Sequence, residues 1–146
     1  MPVTIRQAGP GDEPDVVRLI RALASGTPYE SVVTEHSVRH FLADPSCAIL
    51  LAVDAGAVVG LLSYATVPSL FHAGDSGEIE TLIVAGDRRR QGIGRRLLDA
   101  ALKALEEAGC VEISIGTEPD NEIAQKLYVD AGLSEASVLL EKHLVP

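Results

Sequence analysis

The chain has 146 residues, with 12 Lys and Arg against 21 Asp and Glu, for a formal net charge of -9. That length fits one domain able to bury about 70% of the surface its unfolded form exposes. The acidic balance, with three Tyr, two Phe and no Trp, argues against a non-specific nucleic-acid binder and leans towards a cationic substrate such as an amine.

No apolar run reaches the ~18 residues of a membrane span. The N-terminus lacks a basic region followed by an apolar one, and two cysteines, Cys47 and Cys110, do not make a secreted disulfide framework. A cytoplasmic protein without membrane or nucleic-acid partners is expected.

Residues 3–7 read as a short strand. Asp12 reads as a helix N-cap, followed by Val16, Val17, Leu19, Ile20, Leu23 and Ala24 at helical spacing. Gly26-Thr27-Pro28 ends that helix. Residues 34–43 read as a second helix, stopped by Asp44-Pro45. Residues 47–53 and 57–67 read as strands joined by a hairpin turn at Asp54-Ala55-Gly56. A nine-residue loop is expected over 68–76 and a strand over 77–84. Residues 92–108 read as the longest helix, ended by Gly109. A strand over 111–116, a helix over 121–131 and a last strand over 137–144 complete the pattern.

This order predicts an α+β fold: a mixed, mostly antiparallel sheet of six to seven strands with helices on both faces. One right-handed strand–helix–strand crossover should supply the parallel pair. No domain boundary is expected within residues 1–146.

The most informative stretch is Arg88-Arg89-Arg90-Gln91-Gly92-Ile93-Gly94-Arg95-Arg96, between a strand and the longest helix. A helix start leaves backbone N–H groups unpaired, with partial positive charge. Glycines let a ligand approach that backbone closely. Arginines are unfavourable at this end of a helix unless a polyanion such as a pyrophosphate binds there. Neither a P-loop nor a complete dinucleotide fingerprint is present. A solvated arginine cluster is the plainer alternative.

In the following helix, Ile123, Ala124, Leu127 and Ala131 form an apolar stripe. Asn121 stands at its start and Tyr128 two turns later, so both can face one groove. Taken singly, Asn121 reads as an N-cap and Tyr128 as a packing aromatic. Glu78 and Glu80 lie two apart on one strand, which puts them on one face ~7 Å apart. Shared burial there would raise one pKa towards neutrality; the alternative is that both point to solvent or hold a cationic substrate. His36 and His40 lack a third ligand, so no metal site is expected. His72 could line an amine pocket. Cys110 reads as a small apolar residue.

Together, Arg89-x-x-Gly92-x-Gly94 and Asn121-x-x-Ala124-x-x-x-Tyr128-x-x-x-Gly132 resemble the acyl-CoA motif and the later asparagine–tyrosine–glycine segment of the GNAT N-acetyltransferase superfamily. Leu133 stands where that family usually has Phe. The resemblance implies a domain of that fold in which acetyl-CoA lies between two splayed strands. The backbone of Gln91, Gly92, Ile93, Gly94 and Arg95, with Arg89 and Arg90, would hold the pyrophosphate. Main chain at Leu82, Ile83 and Val84 would pair with the pantetheine arm, and Asn121 would bond to it or to nearby water.

The resemblance further implies that Tyr128 protonates the departing thiolate and that Glu78 or Glu80 takes the amine proton, Glu78 being slightly preferred. The acceptor would be a small-molecule amine in preference to a peptide, chosen by residues 26–34, which include Tyr29, and by the 68–76 loop. A homodimer is compatible with the family. The alternative is a non-catalytic acyl-CoA-binding module of the same fold.

Overall fold

A computed structural model describes residues 2–28 and 30–145; Tyr29 lies outside the described residues. Five strands form one sheet in the order β1-β2-β3-β4-β5: β1 (Thr4–Gln7), β2 (Cys47–Asp54), β3 (Ala57–Ser69), β4 (Gly74–Val84) and β5 (Glu112–Ile115). The first four are antiparallel neighbours, and β5 runs parallel to β4. Helices α1 (Glu13–Ala24) and α2 (Glu35–Ala43) pack on one face. Helices α3 (Ile93–Glu107) and α4 (Glu122–Asp130) pack on the other. The mixed sheet with two helical layers is the expected α+β architecture.

Strand alternation, shifted once in β3 by a β-bulge at Val59, explains the two cores. In β2 and β3, Leu50, Ala52, Val59 and Leu62 face α3, whereas Ile49, Leu51, Val58 and Leu61 face α1 and α2. Helix α3 presents Ile93, Leu97, Leu98, Ala101 and Leu105 along one stripe, all buried. Each buried leucine contributes roughly 1.5–3 kcal/mol. Gly77 lets α3 close on β4: a Cβ there would meet Leu105 Cδ1 at 2.8 Å. The Asp54-Ala55-Gly56 turn forms with positive φ at Ala55 and Gly56, the handedness a two-residue hairpin needs.

Three sequence expectations are corrected, and a fourth, the Asp12 N-cap, is met in position. The sheet has five strands among the described residues rather than six or seven, because 137–144 forms no ladder. Strand β5 is only four residues long and offers little edge to extend, and Val138, Leu139 and Leu140 are exposed. The 68–76 loop is a tight hairpin: β3 runs through Pro68, opposite Asp75, to Ser69, and β4 begins at Gly74. A proline at the end of a ladder costs a single hydrogen bond. Asp12 occupies the N-cap of α1 without a side-chain cap bond. Its carboxylate is taken by Arg6 Nη1 and Nη2, which donate at 2.8 and 2.9 Å, and by the Gly9 N–H at 2.8 Å. In α4 the inward side comprises Ala124, Leu127, Tyr128 and Ala131, each half-buried, whereas Ile123 is 78% exposed.

Candidate active site

The site begins where β4 outruns its neighbour. Strand β5 pairs with Ser76, Gly77, Glu78 and Ile79 and then stops, whereas β4 continues five residues to Val84 with β3 on one side only. Main-chain groups of Glu80 to Val84 that point away from β3 therefore have no strand partner. A register shift lies in the same place. Tyr64 opposes Ile79 and Ser63 opposes Thr81, so Glu80 is the extra residue of a β-bulge. Bulges bend a strand, and this one lies where β4 parts from β5.

The bulge changes the reading of the two glutamates. Strict two-residue alternation is interrupted at Glu80, so a shared face for Glu78 and Glu80 no longer follows from spacing. Both residues are exposed rather than jointly buried. Glu78 stands opposite Ala65, which stands opposite Cys47. The only buried polar residues among those described are Glu13 and Ser63, and the Ser63 Oγ at the bulge has no hydrogen-bond partner. Nothing in the sequence distinguishes this serine.

After β4 the chain makes a short 3-10 turn (Gly86–Arg88) and reaches Gly92, the N-cap of α3, at φ +79°. Gly92 supplies no side-chain cap, and the first turn of α3 carries no acidic residue. The helix's initial N–H groups thus keep their partial positive charge without a carboxylate to offset it. Arg90 also adopts a positive φ, +62°, which is uncommon for a residue with a side chain.

The five arginines divide sharply. Arg88 Nη2 lies 2.6 Å from Asp54 Oδ2, and its Nε donates to Gln91 Oε1 at 3.2 Å. Arg95 Nε donates to Asp99 Oδ1 at 2.9 Å. Arg96 Nη1 donates to the Val3 carbonyl and ties α3 to the first strand. Arg89 Nε donates to the Val84 carbonyl at 3.4 Å. Arg89, Arg90 and Arg96 have no carboxylate partner among the described residues, and Arg96 is held by the Val3 carbonyl instead. The cluster is half structural, which composition alone does not reveal.

Helix α4 closes the splayed end. Asn121 is its N-cap, its Oδ1 accepting from the Ala124 N–H at 3.1 Å, so the capping role read from the sequence is filled. Its amide NH2 stays available as a donor. Leu127 and Tyr128 pack with Leu82 and Val84 against the core on the α3 side. Burial holds the Tyr128 phenol above its usual pKa, so it keeps its proton at neutral pH. The β3–β4 hairpin tip, with His72 Nε2 against Glu112 Oε2, lies at the opposite end of β4, about 30 Å from Val84 at ~3.4 Å per residue. Glu78, by contrast, is four residues, about 14 Å, from Gly74, so the hairpin borders the segment of β4 that carries the glutamates. Burial and Asp75 raise the Cys110 thiol pKa, which suits a packing residue rather than a nucleophile.

No group of three or more His, Cys, Asp or Glu side chains able to hold a metal occurs among the described residues, and no helix is long and apolar enough to cross a membrane.

A profile of the Acetyltransferase (GNAT) family matches residues 17–133. The chain is 33% identical over 131 residues to a mycothiol acetyltransferase of Saccharopolyspora erythraea, covering 86% of this chain and 42% of that protein. It is 32% identical over 103 residues to an aminoalkylphosphonate N-acetyltransferase of Salmonella typhimurium, covering 70% and 67%. The fold superposes with a TM-score of 0.84 on an aminoglycoside acetyltransferase from an uncultured soil metagenomic sample, at 20% identity and over 99% and 97% of the two chains. The chain thus spans less than half the length of the mycothiol relative.

Proposed function

The chain belongs to the acetyltransferase (GNAT) family, and on that premise we propose that it transfers the acetyl group of acetyl-CoA to the nitrogen of a primary amine. One observation carries the reading. The unpaired half of β4 runs straight into the glycine turn at the start of α3, so a single continuous path offers strand-like pairing and then an anion cradle. Acetyl-CoA has the matching order, an amide-bearing arm followed by a pyrophosphate.

In this reading Leu82, Ile83 and Val84 pair with the arm by their main chain. The backbone N–H groups of Gln91, Gly92, Ile93, Gly94 and Arg95, with the side chains of Arg89 and Arg90, hold the pyrophosphate. Asn121 donates its amide N–H to the arm. The amine first loses a proton to Glu78 or Glu80, directly or through water. Its nitrogen then bonds to the thioester carbonyl carbon. The C–S bond breaks as the Tyr128 hydroxyl hydrogen-bonds to the sulfur and gives it a proton, which leaves the free thiol and a phenolate that solvent reprotonates. The carboxylic acid passes the first proton to solvent and, as carboxylate again, takes the second nitrogen proton, so that the product is the neutral amide.

A small-molecule amine fits best. The aminoalkylphosphonate relative carries such a substrate in its name, and the net charge of -9 favours approach of a cation. Residues 26–34 and the β3–β4 hairpin over 68–76 are the segments that select it. Free thiols at Cys47 and Cys110 suit a cytoplasmic enzyme, and residues 1–146 act as one catalytic domain. Thiol release from acetyl-CoA, measured against an aminoalkylphosphonate, an aminoglycoside, a polyamine and a peptide amine, tests the proposal. Turnover with a small amine is expected. Tight acetyl-CoA binding without release from any amine would instead support the non-catalytic module.

A further inference from the structure

We infer that Asp54, in the β2–β3 hairpin, and Arg88 are positioning residues that brace the anion-binding turn through Gln91, and that Arg88 is not itself a phosphate ligand. The inference rests on the acetyl-CoA reading and adds to it a residue that none of the sequence motifs contain.

The geometry is a chain of three side chains. Asp54 ends β2, opposite Ala57 across the hairpin. The segment after β4 folds onto that corner: the Ala85 N–H donates to the Val59 carbonyl at 2.8 Å, and the Arg88 N–H to the Ala85 carbonyl at 2.9 Å. This brings Arg88 to Asp54 across 34 residues of sequence, at 2.6 Å, with side chains 24% and 16% exposed. The same guanidinium reaches Gln91 Oε1 through Nε. Asp54 Oδ1 is buried without any other partner, so Arg88 is the one charge that compensates this carboxylate.

Between Arg88 and Gly92 the turn holds a conformation it would not keep alone. Arg90 sits at φ +62° and Gly92 at φ +79°, with Gln91 between them. A non-glycine residue in the left-handed region persists only where its surroundings fix it. The Asp54–Arg88–Gln91 chain fixes both sides of Arg90. It thereby sets the direction of the N–H groups that open α3. An arginine whose fork is already committed to a partly buried carboxylate and a glutamine has little left for a phosphate.

The test measures acetyl-CoA dissociation constants by calorimetry, with kcat and KM, for the wild type, Asp54→Asn, Arg88→Met and the double variant. Gln91→Met, an exposed change that spares the fold, is measured alongside. Bracing predicts that each single change weakens acetyl-CoA binding about tenfold, equivalent to ~1.4 kcal/mol, with kcat within about twofold. It also predicts that the double variant is no worse than Arg88→Met. If Arg88 were a phosphate ligand, Asp54→Asn would release it and binding would hold or tighten; that result overturns the inference, as do additive single effects. Should Asp54→Asn fail to fold, unchanged affinity in Gln91→Met overturns it alone. A wild type that binds no acetyl-CoA overturns the underlying reading first, and is distinguished by being seen before any variant.

Discussion

Leu127 of α4 stands directly over Gly94 of α3: a methyl group built on Gly94 would meet Leu127 Cδ2 at 3.8 Å and Val84 Cγ2 at 3.7 Å. These are ordinary contact distances, and Gly94 has no left-handed backbone. Gly92, two residues earlier, has open space around it but φ +79°. The two glycines of the motif thus serve different ends. Gly94→Ala is expected to keep its melting temperature or gain slightly, because alanine is the better helix former, and to keep acetyl-CoA affinity within a few-fold. Gly92→Ala is expected to lose about 1–2 kcal/mol to left-handed strain, or several degrees in Tm for a chain of this size, and to bind acetyl-CoA more weakly. Thermal melts and titration of both variants check this.

Tyr128→Phe removes only a hydroxyl from a packed ring. Turnover is expected to fall by ~10²–10⁴ if proton donation limits the rate, with KM for acetyl-CoA little changed. The raised phenol pKa also has a stability consequence. Its contribution is whole below the ordinary tyrosine value near pH 10 and is lost as pH rises through the higher folded value. Alkaline melts should therefore show wild type losing stability relative to the phenylalanine variant as pH climbs past 10. Full turnover in the phenylalanine variant would remove Tyr128 from the chemistry.

Glu78 and Glu80 are separable because the bulge gives them different surroundings. Glu78→Gln and Glu80→Gln are expected to alter the acidic limb of the kcat/KM profile unequally, with Glu78 the larger. Profiles that superimpose on the wild type for both would leave water as the proton acceptor.

Asp12 makes an acid-stability prediction remote from the site. The Arg6 guanidinium bonded to it holds its carboxyl below the usual value of 3.8, against the opposing effect of burial, and the Gly9 N–H adds to the lowering. The contribution is present above pH 3.8 and disappears as pH falls through the lower folded value. Arg6 is half exposed, so solvent screening limits the pair to about 0.5–1 kcal/mol. Asp12→Asn should be less stable than wild type at pH 7 by that amount, and the difference should shrink as pH falls below 3.8 in denaturant titrations.

Much of this was readable without coordinates because it rests on local physics. Apolar periodicity announced α1 and α3, and the paired glycines announced the turn that opens α3 at Gly92. What escaped the sequence depends on distant pairing. The bulge at Glu80 follows from the register with β3. The division of the arginines follows in part from Asp54 and Val3 reaching Arg88 and Arg96 from elsewhere, whereas the Arg95–Asp99 pair is local to α3. The run at 138–140 has the composition of a strand, yet its place is decided by whether an edge is there to receive it, and β5 is too short to signal one.

The central claim is that the turn at Gln91 to Arg95, with the open half of β4, is an acetyl-CoA site. Calorimetric titration of acetyl-CoA into folded, CoA-free protein tests it most directly. The account predicts saturable one-to-one binding that weakens in Gly92→Ala and persists in Tyr128→Phe. No heat of binding from a folded sample, or binding indifferent to Gly92, would contradict it.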